Sequence, residues 1–161
     1  STARLPAVAS GYTIERSYTD RNGKVIGDSI TAGDFVSVNL VIRSTEDGRM
    51  VVVDDPLPAG LEPVDTTLET SNTEIAKVMQ KGQDWSWWRS RYNEMHDDRT
   101  EWHFRYLWRT WNQDYPLRLT YLARAVTPGT YYAPGTTVER MYRPEFHGRA
   151  EGRSLTVLPK P

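Results

Sequence analysis

The sequence contains no cysteine, so disulfides, thiolate metal sites and a cysteine nucleophile are excluded within these residues. Long apolar runs are missing too. Nothing approaches the roughly 18 to 20 residues that a bilayer-spanning helix requires, and the opening Ser1-Thr2-Ala3-Arg4 has neither an initiator methionine nor the apolar centre of a secretion signal. Residues 1–10 are therefore expected to be linker, followed by one domain over 11–161 that does not insert into a membrane. An excess of one charge is also lacking: Lys and Arg number 20 against 21 acidic residues, a net charge of -1. That balance provides no footprint for a phosphate backbone, and nucleic acid is not an expected partner. No Gly-rich phosphate cradle follows a strand and no serine stands in a nucleophile elbow, so no cofactor and no enzyme activity are expected.

What the chain does have is aromatic surface and alternation. Its 6 Trp and 9 Tyr supply much of the apolar area that a chain of this length needs for one core, while two cores would each be short of material. Residues 35–43 alternate strictly, with Val36, Val38, Leu40 and Ile42 on one face and Ser37, Asn39 and Arg43 on the other. Residues 99–109 repeat this with Trp102, Phe104, Tyr106 and Trp108 opposite Glu101, His103, Arg105 and Arg109. Residues 117–125 do so with Leu117, Leu119, Tyr121, Ala123 and Ala125 opposite Arg118, Thr120 and Arg124. Further strands are expected over 11–20, 50–54 and 153–158. Asn22-Gly23 and Asp47-Gly48 carry the chemistry of tight hairpin turns with positive φ. The pattern predicts a mainly β fold, an antiparallel β-sandwich. One short helix interrupts it over 70–80, where a polar start precedes Ile75, Val78 and Met79 at helical spacing.

Few residues are candidates for chemistry. His96, His103 and His147 lack the i, i+4 spacing of a helical metal pair, and His96-Asp97-Asp98 reads as a solvated loop, so no metal site is expected. Asp54 and Asp55 are adjacent carboxylates, but neighbours in a strand point to opposite faces, which argues against a catalytic pair. The aromatic group Trp85, Trp87, Trp88 and Tyr92 reads either as packing or as an exposed contact surface for a partner.

Three stretches resemble the C-terminal macroglobulin-like, receptor-binding-type domain of bacterial alpha-2-macroglobulins. They are Asp54-Asp55-Pro56-Leu57-Pro58-Ala59-Gly60-Leu61-Glu62-Pro63, then residues 119–131 around Tyr121-Leu122-Ala123-Arg124 and Thr127-Pro128-Gly129, and finally Ala133-Pro134-Gly135 through Val138-Glu139-Arg140-Met141-Tyr142-Arg143-Pro144-Glu145. The resemblance implies a macroglobulin-like, Ig-like sandwich with one inserted helix. It also implies membership of a large periplasmic protease-trapping protein, whose lipidated N-terminus anchors many such parents to the inner membrane. The implied partners are the other domains of the parent, above all a thioester-type domain, and target proteases reached through the parent.

In thioester-bearing relatives a Met-Tyr pair within Met-Tyr-x-Pro helps to cover the reactive bond. Met141 and Tyr142, followed by Pro144, match those positions, and Arg140 and Arg143 belong to the docking edge so implied. A flexible Met and a planar Tyr are suited to sealing a small site against water. The rival reading is an independent module whose Trp85, Trp87, Trp88 and Tyr92 recognise a glycan or an envelope protein. A hydrolase using Asp54, Asp55 or His96 has no positive support.

Overall fold

The computed structural model describes residues 6–64, 91–110 and 116–161, and only the backbone of Arg91 and Tyr92. A six-stranded sheet runs in the order β1 (Val8–Ser10), β12 (Arg143–Arg149), β11 (Thr137–Arg140), β5 (Gly48–Pro56), β8 (Arg99–Leu107), β7 (Arg91–Met95). A four-stranded sheet runs β2 (Tyr12–Thr19), β4 (Phe35–Ser44), β9 (Leu117–Ala125), β6 (Leu61–Pro63). A smaller sheet joins β10 (Gly129–Ala133), β13 (Arg153–Leu158) and β3 (Ser29–Thr31), the last pairing parallel to β13. The other strand pairs among the described residues are antiparallel, and the architecture is the expected antiparallel β-sandwich.

Alternation explains how the two main sheets meet. In the four-stranded sheet the register sets Val38 beside Tyr121, Leu40 beside Leu119 and Ile42 beside Leu117. In the six-stranded sheet Val51 lies beside Phe104 and Val53 beside Trp102. These side chains are buried in one cluster, each Val, Leu, Ile or Phe contributing roughly 1.5–3 kcal/mol when fully removed from water. Trp102 and Tyr121 meet across the core with ring centroids 5.5 Å apart, tilted by 56°.

The structure departs from the sequence reading in three places. Val8–Ser10 pairs with Gly148 and its neighbours, so the end of the stretch taken as linker is an edge strand of the domain. Tyr106 and Trp108 do not reach the core: Leu107 is buried in their place and Trp108 is exposed. The alternation slips on both paired strands at this point, Gly48 and Leu107 being buried while Arg49 is exposed, and the intervening Met50 adopts a left-handed φ of 52°. Tyr106 and Trp108 meet each other edge to face, with centroids 4.3 Å apart and planes at 63°.

Of the two turns, the one at Asn22-Gly23 is as expected: Gly23 has a positive φ, 81°, Asp20 Oδ1 accepts from the amides of Asn22 and Lys24, and the chain doubles back antiparallel with Thr19 bridging Val25. The Asp47-Gly48 segment carries the chain from one main sheet to the other. Gly48 is required there by crowding, since a Cβ would lie 2.5 Å from Tyr12 Oη and 2.8 Å from Arg140 Nε. No helix occurs among the described residues. The helix expected over 70–80 lies outside them.

Candidate functional site

β11 and β12 form a hairpin closed by the pair Arg140↔Arg143, with Met141 and Tyr142 as its two-residue tip. The register then shifts between Glu139 and Arg140, so that Glu139 pairs with His147 and residues 144–146 bulge from the ladder. Pro144, which has no amide to donate, suits such an interruption. Both tip side chains stand in solvent, Met141 at 51% and Tyr142 at 77% exposure. The tip is nevertheless tied down, because the Met141 amide donates to the Met50 carbonyl at 2.9 Å. Left-handed Met50 is thus part of the mounting, a local cost borne by a residue other than Gly.

Arg140 departs from the expectation that it would line a docking edge. Its guanidinium turns inward and is 7% exposed. Nε donates to Tyr12 Oη at 3.0 Å, Nη2 donates to the Asp47 carbonyl at 2.8 Å, and the Glu46 carboxylate lies 3.4 Å from Nη2. The same group lies 4.0 Å from the Phe146 ring centre. Inward rotation follows from this set of acceptors and rings, which only the folded chain assembles. Arg143 stays exposed and pairs with Glu145 at 3.0 Å. The Glu145 carboxyl is held below its ordinary range by a hydrogen bond from its own backbone amide and then by Arg143. Of the four residues assigned to the edge, Met141, Tyr142 and Arg143 face outward and Arg140 holds the hairpin in place.

Trp85, Trp87 and Trp88 lie outside the described residues, as does the Tyr92 side chain. Asp54 and Asp55 do face opposite ways. Asp55 is sealed in the core, bound by Arg16 at 2.9 Å, Tyr121 Oη at 2.5 Å and Thr136 Oγ1 at 2.7 Å. Asp54 is half-buried and pairs with Arg99 at 3.2 Å. Its carboxyl is pushed up, first by partial desolvation and then, against Arg99, by the carboxylates of Glu101, Asp55 and Asp98. Asp55 is saturated with partners and closed to solvent, which suits cross-sheet packing and leaves no room for a substrate.

The three histidines have different surroundings. His147 contacts the Pro144 carbonyl through Nδ1 at 3.0 Å. His96 does not gather Asp97 and Asp98. Its Nε2 faces Glu94 Oε1 at 3.6 Å and Glu101 Oε2 at 3.9 Å, while His103 Nε2 lies 3.4 Å from Glu101 Oε2. Glu94, His96 and Glu101 bring their donor atoms within 4.8 Å of one another. Sequence spacing concealed this group because it forms across a strand pair.

Residues 11–145 match the family described as Bacterial Alpha-2-macroglobulin MG10 domain. Alpha-2-macroglobulin of Escherichia coli strain K12 is 33% identical over 165 residues, covering 97% of this chain. The chain spans only 9% of that relative's length. The crystal structure of trypsin-activated alpha-2-macroglobulin from Escherichia coli superposes with a TM-score of 0.77 at 32% identity, over 96% of this chain and 11% of that one. A native Escherichia coli structure running from domain MG7 to the C-terminus gives 0.75 at 29% identity over 98% of this chain and 25% of that one. Salmonella alpha-2-macroglobulin reacted with methylamine gives 0.75 at 30%, over 98% and 10%. With the sandwich and the bulged Met-Tyr hairpin in place, the family match over most of its length makes this chain a member of the bacterial alpha-2-macroglobulin MG10 domain family.

Proposed function

We propose that this domain is the C-terminal, non-catalytic module of a periplasmic protease-trapping protein, and that it docks through the Met141-Tyr142 tip on a thioester-type domain of the same parent. Docked, the tip covers the reactive bond, and cleavage of a bait segment by a protease releases it. The observation that carries this reading is the pairing of an exposed tip with an anchored base: Met141 and Tyr142 are held out in solvent while Arg140 fixes the hairpin to Tyr12 and Asp47. A rigidly mounted aromatic contact costs little entropy on docking, and a docking device that must later let go needs an interface without covalent or catalytic parts. The role requires no enzyme activity from this chain.

The experiment is methylamine uptake by the full-length parent, comparing unmodified protein with Tyr142→Gly. The amine is a fitting probe because a similar Salmonella protein has been reacted with it. Faster uptake in the variant supports shielding by Tyr142. Equal rates in both, or no uptake in either, overturn it.

A further inference from the structure

We propose that Glu94, His96 and Glu101 form a binding site for a divalent transition-metal ion, zinc being the natural probe, on the outer face of the β7–β8 hairpin. Four-coordinate zinc holds imidazole nitrogen at about 2.0–2.1 Å and carboxylate oxygen at about 2.0–2.2 Å, so adjacent donors lie about 3.3–3.6 Å apart in a tetrahedron. The donors here are already close to that spacing: Glu94 Oε1 to His96 Nε2 is 3.6 Å and His96 Nε2 to Glu101 Oε2 is 3.9 Å. All three donors lie within 4.8 Å of one another, so side-chain adjustments on the order of an ångström bring them to three corners of a tetrahedron. Two strand residues and one from the adjoining turn supply them, and the backbone of that turn is fixed by the His96 amide donating to the Arg99 carbonyl at 2.8 Å.

A second observation points the same way. Glu94 and Glu101 are direct cross-strand partners, and on the other side of β8 Glu101 is the partner of Asp54. Three carboxylates thus occupy one row across neighbouring strands, an arrangement of like charges that is unfavourable in itself. Arg99 compensates Asp54 at 3.2 Å. Imidazoles, His96 and His103, flank Glu101, and a bound cation would offset the charge of the Glu94-Glu101 pair. His103, 3.4 Å from Glu101 Oε2, serves as the outer partner that orients a ligating carboxylate. The site is open, with the three ligand side chains 24–45% exposed, so an ion can enter and water can take the fourth corner. One imidazole among two carboxylates favours zinc, nickel or copper over magnesium and calcium, which prefer all-oxygen shells.

The test is calorimetric titration of zinc chloride into the chain, repeated with His96→Ala, Glu101→Gln and, as a control on another strand, His147→Ala. Cobalt is titrated in parallel, because its visible absorption reports tetrahedral coordination. One saturable zinc site is expected. His96→Ala and Glu101→Gln should each weaken it at least about tenfold while melting unchanged without metal, and His147→Ala should leave it intact. His96 lies in an exposed turn, so that variant remains readable even if Glu101→Gln disturbs strand pairing. The proposal is overturned if zinc shows no saturable binding, if His147→Ala weakens it as much as His96→Ala, or if calcium binds as tightly as zinc.

Discussion

Arg16 and Asp55 meet between the two main sheets with Nη1 2.9 Å from Oδ1, their side chains 1% and 0% exposed. Arg16 also donates to the carbonyls of Pro56 and Ala133, and Asp55 accepts from Tyr121 and Thr136. The network joins strands from all three sheets through one charge pair. Removing one member of such a pair leaves an uncompensated charge in the core, which costs about 3–5 kcal/mol. Asp55→Asn should therefore lower unfolding free energy by that amount in urea titration. A loss under about 1 kcal/mol would show that the pair contributes nothing beyond packing.

The same centre makes the protein sensitive to alkali. Burial pushes the Tyr18 hydroxyl up from 10.0 to about 12, with Arg16 opposing, and burial followed by the Asp55 carboxylate pushes Tyr121 well above its ordinary value. A phenol whose pKa is raised in the folded state adds stability that is complete below pH 10 and disappears as pH climbs from 10 towards 12. For Tyr18 the gap is on the order of 3 kcal/mol. Tyrosinate absorbance should show phenols that ionise only on unfolding, and the melting temperature should fall across this window. Native protein that titrates like its denatured form would contradict it.

Arg140 and Tyr142 are two positions apart, and opposite consequences are expected of them. Arg140→Ala removes hydrogen bonds to Tyr12 and Asp47 and leaves a buried gap, costing on the order of 2–4 kcal/mol. Tyr142→Gly removes an exposed ring and should stay within about 0.5 kcal/mol of the parent stability. Thermal melts of both variants, beside the methylamine experiment, separate support of the hairpin from contact made by its tip.

Met50 carries strain that glycine would relieve. At φ 52° a side chain costs roughly 1–2 kcal/mol, and the residue is 37% exposed, so little packing is lost by truncation. Met50→Gly should leave stability equal or higher by up to about 1 kcal/mol. A clear loss in chemical denaturation would mean that its side chain, and not only its carbonyl on Met141, supports the tip.

Much of the sandwich could be read from local pattern, because a strand covered on one face must place apolar side chains at every second position. Residues 117–125 and 153–158 coincide with observed strands, and the burial of Leu117, Leu119 and Tyr121 follows their alternation. Where the period slips near the end of a strand, the reading fails: Leu107 is buried, and Tyr106 and Trp108 leave the core.

The sequence by itself determined the class of fold, the family, and the Met141-Tyr142 pair as the candidate contact, since periodicity and motif are properties of neighbouring residues. Only the tertiary structure decided which polar side chains have partners. Arg140 reaches Tyr12 across 128 positions and Arg16 reaches Asp55 across 39, and Glu94 meets Glu101 only because two strands pair in one register. The fate of a charged group depends on what stands within a few ångströms of it, and chain folding sets that distance independently of separation along the sequence.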